Sequence, residues 1–129
     1  MAVGSKLAAG GSGRDLVAGD VAIGVGFGDA ATAVTIRAGS NRSRGKIDVL
    51  AGGSNQAQAT ATVTVTFPEP FDEVPTAVVS RSTEGDAAAG DTITKNVIVK
   101  SVSKTGLVLV CDTIPVTAKT IGFSYVVVE

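Results

Sequence analysis

The chain has no histidine and no tryptophan, one cysteine, and an aromatic content of only 4%. Each scarcity removes a class of function. Without histidine the commonest general base and the commonest metal ligand are missing. With Cys111 alone, no intrachain disulfide can form. Cys111 lies in the apolar run Leu107–Cys111 and reads as an inert buried thiol, since a reactive one needs a setting that lowers its pKa. No stretch approaches the ~18 consecutive apolar residues of a membrane-spanning helix, and Ala2–Gly13 has no continuous apolar core of the kind a secretory leader carries. The expectation is a soluble protein made in a cytoplasm, which makes the acceptor-like triplet Asn41-Arg42-Ser43 a chance match to a glycosylation site. The formal net charge of −1 supplies no global field that would steer the chain to nucleic acid.

What remains is aliphatic and β-branched. Hydrophobic residues make up 44% of the 129 positions, enough for one domain with a real core built from Val, Ile, Leu and Ala. From Ala59 to Phe67 the chain alternates without a break. Ala59, Ala61, Val63, Val65 and Phe67 point one way and the threonines between them the other, the period of a strand with one buried face. Pro68 and Pro70 end the run because proline has no N–H for a ladder, and Thr76–Ser80 begins another after Val74-Pro75. This predicts a rigid strand, proline corner and strand with antiparallel logic. No window carries a helical stripe. The same reading predicts strands over Val21–Phe27, Ala33–Arg37, Lys46–Leu50, Gln58–Phe67, Thr76–Arg81, Thr92–Val102, Leu107–Cys111 and Ile121–Val128, with Lys104-Thr105-Gly106 as a hairpin turn. About eight strands at this spacing predict an all-β antiparallel sandwich or jelly roll over residues 21–129.

Two features fall outside that plan. Residues 1–20 are rich in Gly, Ala and Ser and have no period. They read as an arm, flexible or ordered only on a partner, with Leu7, Leu16 and Val17 as contact candidates. In addition, Leu107–Val110 and Val126–Val128 are apolar on both faces, which predicts a second cover from a neighbouring subunit and hence a homo-oligomer.

Candidate chemical motifs fail in detail. Gly39–Lys46, GSNRSRGK, has five residues between its glycines where a phosphate-binding loop has four, and Ile47 stands where a hydroxyl should meet Mg²⁺. It reads as a turn exposing Arg42, Arg44 and Lys46, suited to an acidic partner surface. Gly24-Val25-Gly26-Phe27-Gly28 is not a dinucleotide fingerprint, because no glycine follows at the required position and no helix follows it, so it reads as a glycine-bearing strand against a close backbone neighbour. Glu84-Gly85-Asp86…Asp91 does not match a Ca²⁺ loop. Glu69, Asp72 and Glu73 read as an exposed acidic corner with no aromatic platform for a sugar. No catalytic, cofactor or metal residue is expected, and an enzyme is a remote reading.

The runs VTVTFPEPFDEVPTAVVS and VIVKSVSKTGLVLV and the closing GFSYVVV resemble the small β-sandwich domains of tailed-bacteriophage structural proteins, and GSNRSRGKIDVLAGG looks like their opening strand. Such domains occur in capsid decoration (cement) proteins and in head and tail fibres. The resemblance runs from near Gly39 to the C-terminus and rests on scaffold positions, Phe67, Phe71, Pro75 and Gly106. It implies a homotrimer on a virion surface that bridges major capsid proteins, with no nucleic acid or membrane partner. In that role Phe27 and the leucines of the arm are candidate buried anchors, and Arg42, Arg44 and Lys46 form a polar rim. The alternative is a receptor-binding, lectin-like fibre domain.

Overall fold

The computed structural model describes residues 14–82 and 96–129. Among the described residues eight strands form: β1 Val21–Ile23, β2 Ala33–Ile36, β3 Arg44–Leu50, β4 Thr62–Thr66, β5 Thr76–Ser82, β6 Val97–Val102, β7 Gly106–Cys111 and β8 Thr120–Val128. They make two antiparallel four-stranded sheets, ordered β1-β4-β7-β6 and β2-β3-β8-β5. The fold is the antiparallel sandwich that the strand spacing predicts.

Period-two patterning sets both inner faces. In the first sheet Val63 and Val65 of β4 pair with Leu109 and Leu107 of β7. In the second, Ile47 and Val49 of β3 pair with Phe123 and Ile121 of β8. These eight side chains are 0–1% exposed and belong to one core cluster. Burying a side chain of this size contributes about 1.5–3 kcal/mol. β6 carries a register shift between Val99 and Ser101, so Val99 and Val102 both pack on the core despite their odd spacing. The predicted β6–β7 hairpin forms, and Ser103 Oγ accepts from the N–H groups of Thr105 and Gly106, each at 3.2 Å.

Four expectations are corrected. The run Gln58–Phe67 is strand only from Thr62. β4 and β5, on either side of the proline corner, lie in opposite sheets rather than pairing; Pro68–Pro75 is a crossing between layers. Val21–Phe27 is not one strand: after Ile23 the chain makes a short 3-10 turn, Val25–Phe27. Its glycines explain the change, because a Cβ on Gly24 would sit 2.2 Å from the Thr60 carbonyl oxygen and one on Gly26 2.2 Å from the Ala61 nitrogen. The turn is thus pressed against the backbone leading into β4, the close neighbour its glycines predicted.

The fourth correction concerns the arm. Residues 14–20 belong to the body. Leu16 is 7% exposed within the core cluster, its N–H donates to the Ser40 carbonyl at 2.8 Å, and Asp20 accepts from the Val17 N–H at 2.9 Å. The predictions made on residues 1–13, Leu7 included, and on the acidic stretch Glu84–Asp91 lie outside the described residues.

Candidate functional site

The aromatic positions show first what is not available to a partner. Phe27 is 0% exposed, with its ring edge-on to Phe123 at 6.3 Å, so it anchors this chain's own core and no partner. Leu16 is likewise internal. Val17 alone of the apolar candidates in the described part of the arm reaches solvent, at 55% exposure.

The three cations of the GSNRSRGK turn have different tasks. Arg42 turns onto the proline corner. Its guanidinium carbon lies 4.3 Å from the centroid of the Phe71 ring, and Nη1 donates to the carbonyls of Glu69 and Pro70 at 3.1 and 2.8 Å. Phe71 in turn meets Phe67 edge-on at 5.2 Å. Arg42 is therefore a clamp between the β2–β3 turn and the layer crossing. Its buried Nε has no hydrogen-bond partner, a desolvation loss that the ring contact and the two carbonyl bonds offset.

Arg44 and Lys46 instead project from the outer face of β3, where both are exposed. They line a hollow of about 350 Å³ with Arg37, Gly39, Ser40, Ser124, Tyr125 and Val126 among its other walls. Among the described residues its lining holds three cations, Arg37, Arg44 and Lys46, of which Arg37 is paired with a carboxylate just behind the wall. Arg37 was not singled out from the sequence. It follows β2 directly, and its N–H donates to the Lys46 carbonyl at 2.9 Å, which sets it beside Lys46 across the hairpin. Its Nε and Nη2 both reach Asp48 Oδ2, at 2.7 and 2.6 Å. That doubly bonded pair fixes the guanidinium at the rim and neutralises the nearby carboxylate, which is 8% exposed.

The floor of the hollow is built by a tyrosine under a glycine. Tyr125 points inward from β8 opposite Gly45, and a Cβ on Gly45 would stand 2.6 Å from the Tyr125 ring carbon that bears the hydroxyl. The phenol donates to the Asn41 carbonyl at 2.6 Å, and Asn41 Oδ1 accepts from the N–H groups of Ser43 and Arg44 at 2.9 and 3.2 Å. Burial pushes the Tyr125 phenol well above its ordinary pKa, which keeps it a donor. The turn carrying the cations is thus held from beneath.

Beside the hollow the same sheet face becomes apolar. Val126 pairs laterally with Arg44 on one side and Val78 on the other, and Val128 follows two residues on. Val78, Val126 and Val128 are 63%, 52% and 61% exposed. Of the two runs expected to need a second cover, Leu107–Val110 is largely covered within the chain, with Val108 half-buried and the rest buried or nearly so. Val126–Val128 is not.

Among the described residues no group of three His, Cys, Asp or Glu side chains is placed to hold a metal ion. Cys111 is buried as expected, its sulfur 3.2 Å from the Thr113 carbonyl. Comparison of the chain with protein-family models, with curated proteins and with solved structures finds no match in any of the three.

Proposed function

We propose that this chain is an adhesive virion protein, a capsid decoration protein that binds the outside of a phage head as a homotrimer and bridges major capsid proteins. The observation that carries the reading is the outer face of the second sheet, where exposed Val78, Val126 and Val128 adjoin a cationic hollow on a rigid antiparallel scaffold. Such a face suits adhesion: an apolar centre for burial and a charged margin for orientation.

The placement of aromatics weighs against the fibre-tip alternative. The four phenylalanines and the single tyrosine are all buried, which leaves no ring on which a sugar can stack. In the decoration reading the free energy comes from area and repetition. A standard interface of ~1,600 Å² suffices for specific binding, and three linked copies add avidity without a new type of contact. A ligand that binds only the assembled shell stabilises it by mass action.

The test is thermal. Heads carrying the protein are expected to rupture at a higher temperature than heads stripped of it, and re-addition restores the difference. Stripped heads that withstand heat and internal DNA pressure as well as complete ones would refute the reading. Native mass spectrometry that finds only monomer, with isolated copies on the particle, would remove the trimer.

A further inference from the structure

We infer that the free edge of β2 receives residues 3–9 of a second copy as an added strand, so that copies are joined by exchanged N-terminal arms. The inference rests on the decoration reading only for the number of copies, three.

The edge has unused polar groups. β2 ends the order β2-β3-β8-β5 and, among the described residues, pairs only with β3. The Arg37 N–H donates to the Lys46 carbonyl, which sets the parity of the hairpin. Ala33 and Thr35 bond toward β3, and the N–H and C=O groups of Val34 and Ile36 point away from it. Among the described residues no hydrogen bond takes those groups. The other edges differ. β1 has only three residues, β6 is interrupted by its register shift, and β5 lies beside β6 where the two sheets meet. The acidic stretch Glu84–Asp91 is strung between β5 and β6 and so joins the body on the side away from β2.

The same edge is incompletely covered on its inner side. Val34 and Ile36 pack on the core but are only half-buried, as are Val21 and Ile23 of β1 in the facing sheet. An added strand with an aliphatic side chain turned inward satisfies the polar groups and extends the apolar cover together.

The arm has the side chains for this. Between Ala2 and Gly13 the large aliphatic residues are Val3 and Leu7, four apart and hence on one side of an extended chain, with Lys6 on the other. Polarity selects a second copy as the source. Arg14 stands at the hairpin end of β2: its N–H donates to Glu69, whose carbonyl accepts from Arg42 of the β2–β3 turn, and Leu16 is bonded to Ser40. A chain's own arm, ending there, meets its own β2 in the parallel sense. Every strand pair among the described residues is antiparallel. A neighbouring copy presents its arm in the antiparallel sense without reversing it. Arm and edge are different patches of one chain, the head-to-tail arrangement that closes into a ring.

The test is sedimentation velocity on the full chain, a form lacking residues 2–9, Leu7→Asp and Val34→Pro. The full chain is expected to run as an oligomer at about 50 µM, a concentration that populates a micromolar contact. The deletion and Val34→Pro are each expected to run as monomers, and Leu7→Asp to associate about tenfold or more weakly. Proline at position 34 removes an N–H that points away from the ladder, where an edge strand tolerates it, and the melting temperature checks its fold. Mixing supplies the sharper result. The deletion form keeps an edge without an arm and Val34→Pro an arm without an edge, so together they form a one-to-one complex. A monomeric full chain, an oligomer that survives the deletion or Leu7→Asp, or a mixture that stays monomeric overturns the inference. The two proposals separate on heads. A deletion form that is still oligomeric and still decorates them sinks arm exchange alone; a full chain that exchanges arms but ignores heads sinks the decoration reading alone.

Discussion

Replacing Arg42 tests whether the cations of the β2–β3 turn form one surface patch or divide between scaffold and partner. Arg42→Ala removes two hydrogen bonds to backbone carbonyls and the contact over Phe71. A bond from a charged donor contributes about 1.5–3 kcal/mol, and a cation–π contact about 0.5–2 kcal/mol. One guanidinium makes all three, so they do not add. Arg42 is only half-buried, and the variant also relieves the unpaired Nε. The net expected loss is about 2–3 kcal/mol, or roughly 5–12 °C in melting temperature for a domain of this size. Arg42→Lys keeps the charge but not the planar fork and recovers less than half of the loss. Arg44→Ala, at an exposed position, stays within about 0.5 kcal/mol of the parent. The assay is urea and thermal unfolding of the three variants side by side. Arg42→Ala melting within about 1 °C of Arg44→Ala would show that the clamp is a surface contact and that the division of tasks is wrong.

Three further outcomes follow from the same geometry. Phe27→Ala costs about 3–5 kcal/mol in urea unfolding, because Phe27 is fully buried against Phe123; a near-neutral result would return it to the surface. Gly45→Ala destabilises by about 1–3 kcal/mol through its clash with the Tyr125 ring, and Gly45→Ala combined with Tyr125→Leu loses less than the two single losses summed. Tyr125→Phe costs about 1–2 kcal/mol at neutral pH, and it also changes the alkaline limb. The folded phenol has a raised pKa, so above the unfolded value of about 10 the native state binds the proton more tightly and stability falls as pH rises. The difference between parent and Tyr125→Phe should therefore shrink above about pH 10, and a constant difference to pH 11 contradicts the buried donor.

The sequence was most readable where one physical rule acted alone. Val63, Val65 and Phe67 are buried and Thr64 and Thr66 exposed, because alternation on a half-buried strand is a local property. It was least readable where a distant backbone decides. Gly24 and Gly26 turn the chain at Val25–Phe27 only because residues 57–61 lie against them, and nothing local says so. The same limit concealed Leu16, whose glycine-rich surroundings read as an arm although its side chain enters the core. At the candidate site, Arg44 and Lys46 were legible as exposed cations but were read as part of a turn, whereas β3 begins at Arg44; Arg37 joins them through hairpin register and Arg42 leaves them for a ring 29 residues away.

The two-sided apolar runs carry a larger consequence. Leu107–Val110 is largely covered within one chain, so the case for a second cover rests on Val126, Val128 and their neighbour Val78. Each is only about half exposed, and completing its burial is worth about 1 kcal/mol. Three such contributions fall short of the 4–15 kcal/mol that association costs in lost translational and rotational freedom. The valine row alone therefore cannot hold a partner. It becomes adequate when the adjacent cations add charge-assisted bonds to the same occupant, or when several copies bind together so that only the first contact meets the full association cost. Substituting Val126→Asp should then abolish attachment of a single chain while a covalently linked trimer of Val126→Asp retains measurable binding through the hollow. Loss of binding in both forms would mean that the apolar row, and not repetition, sets the affinity.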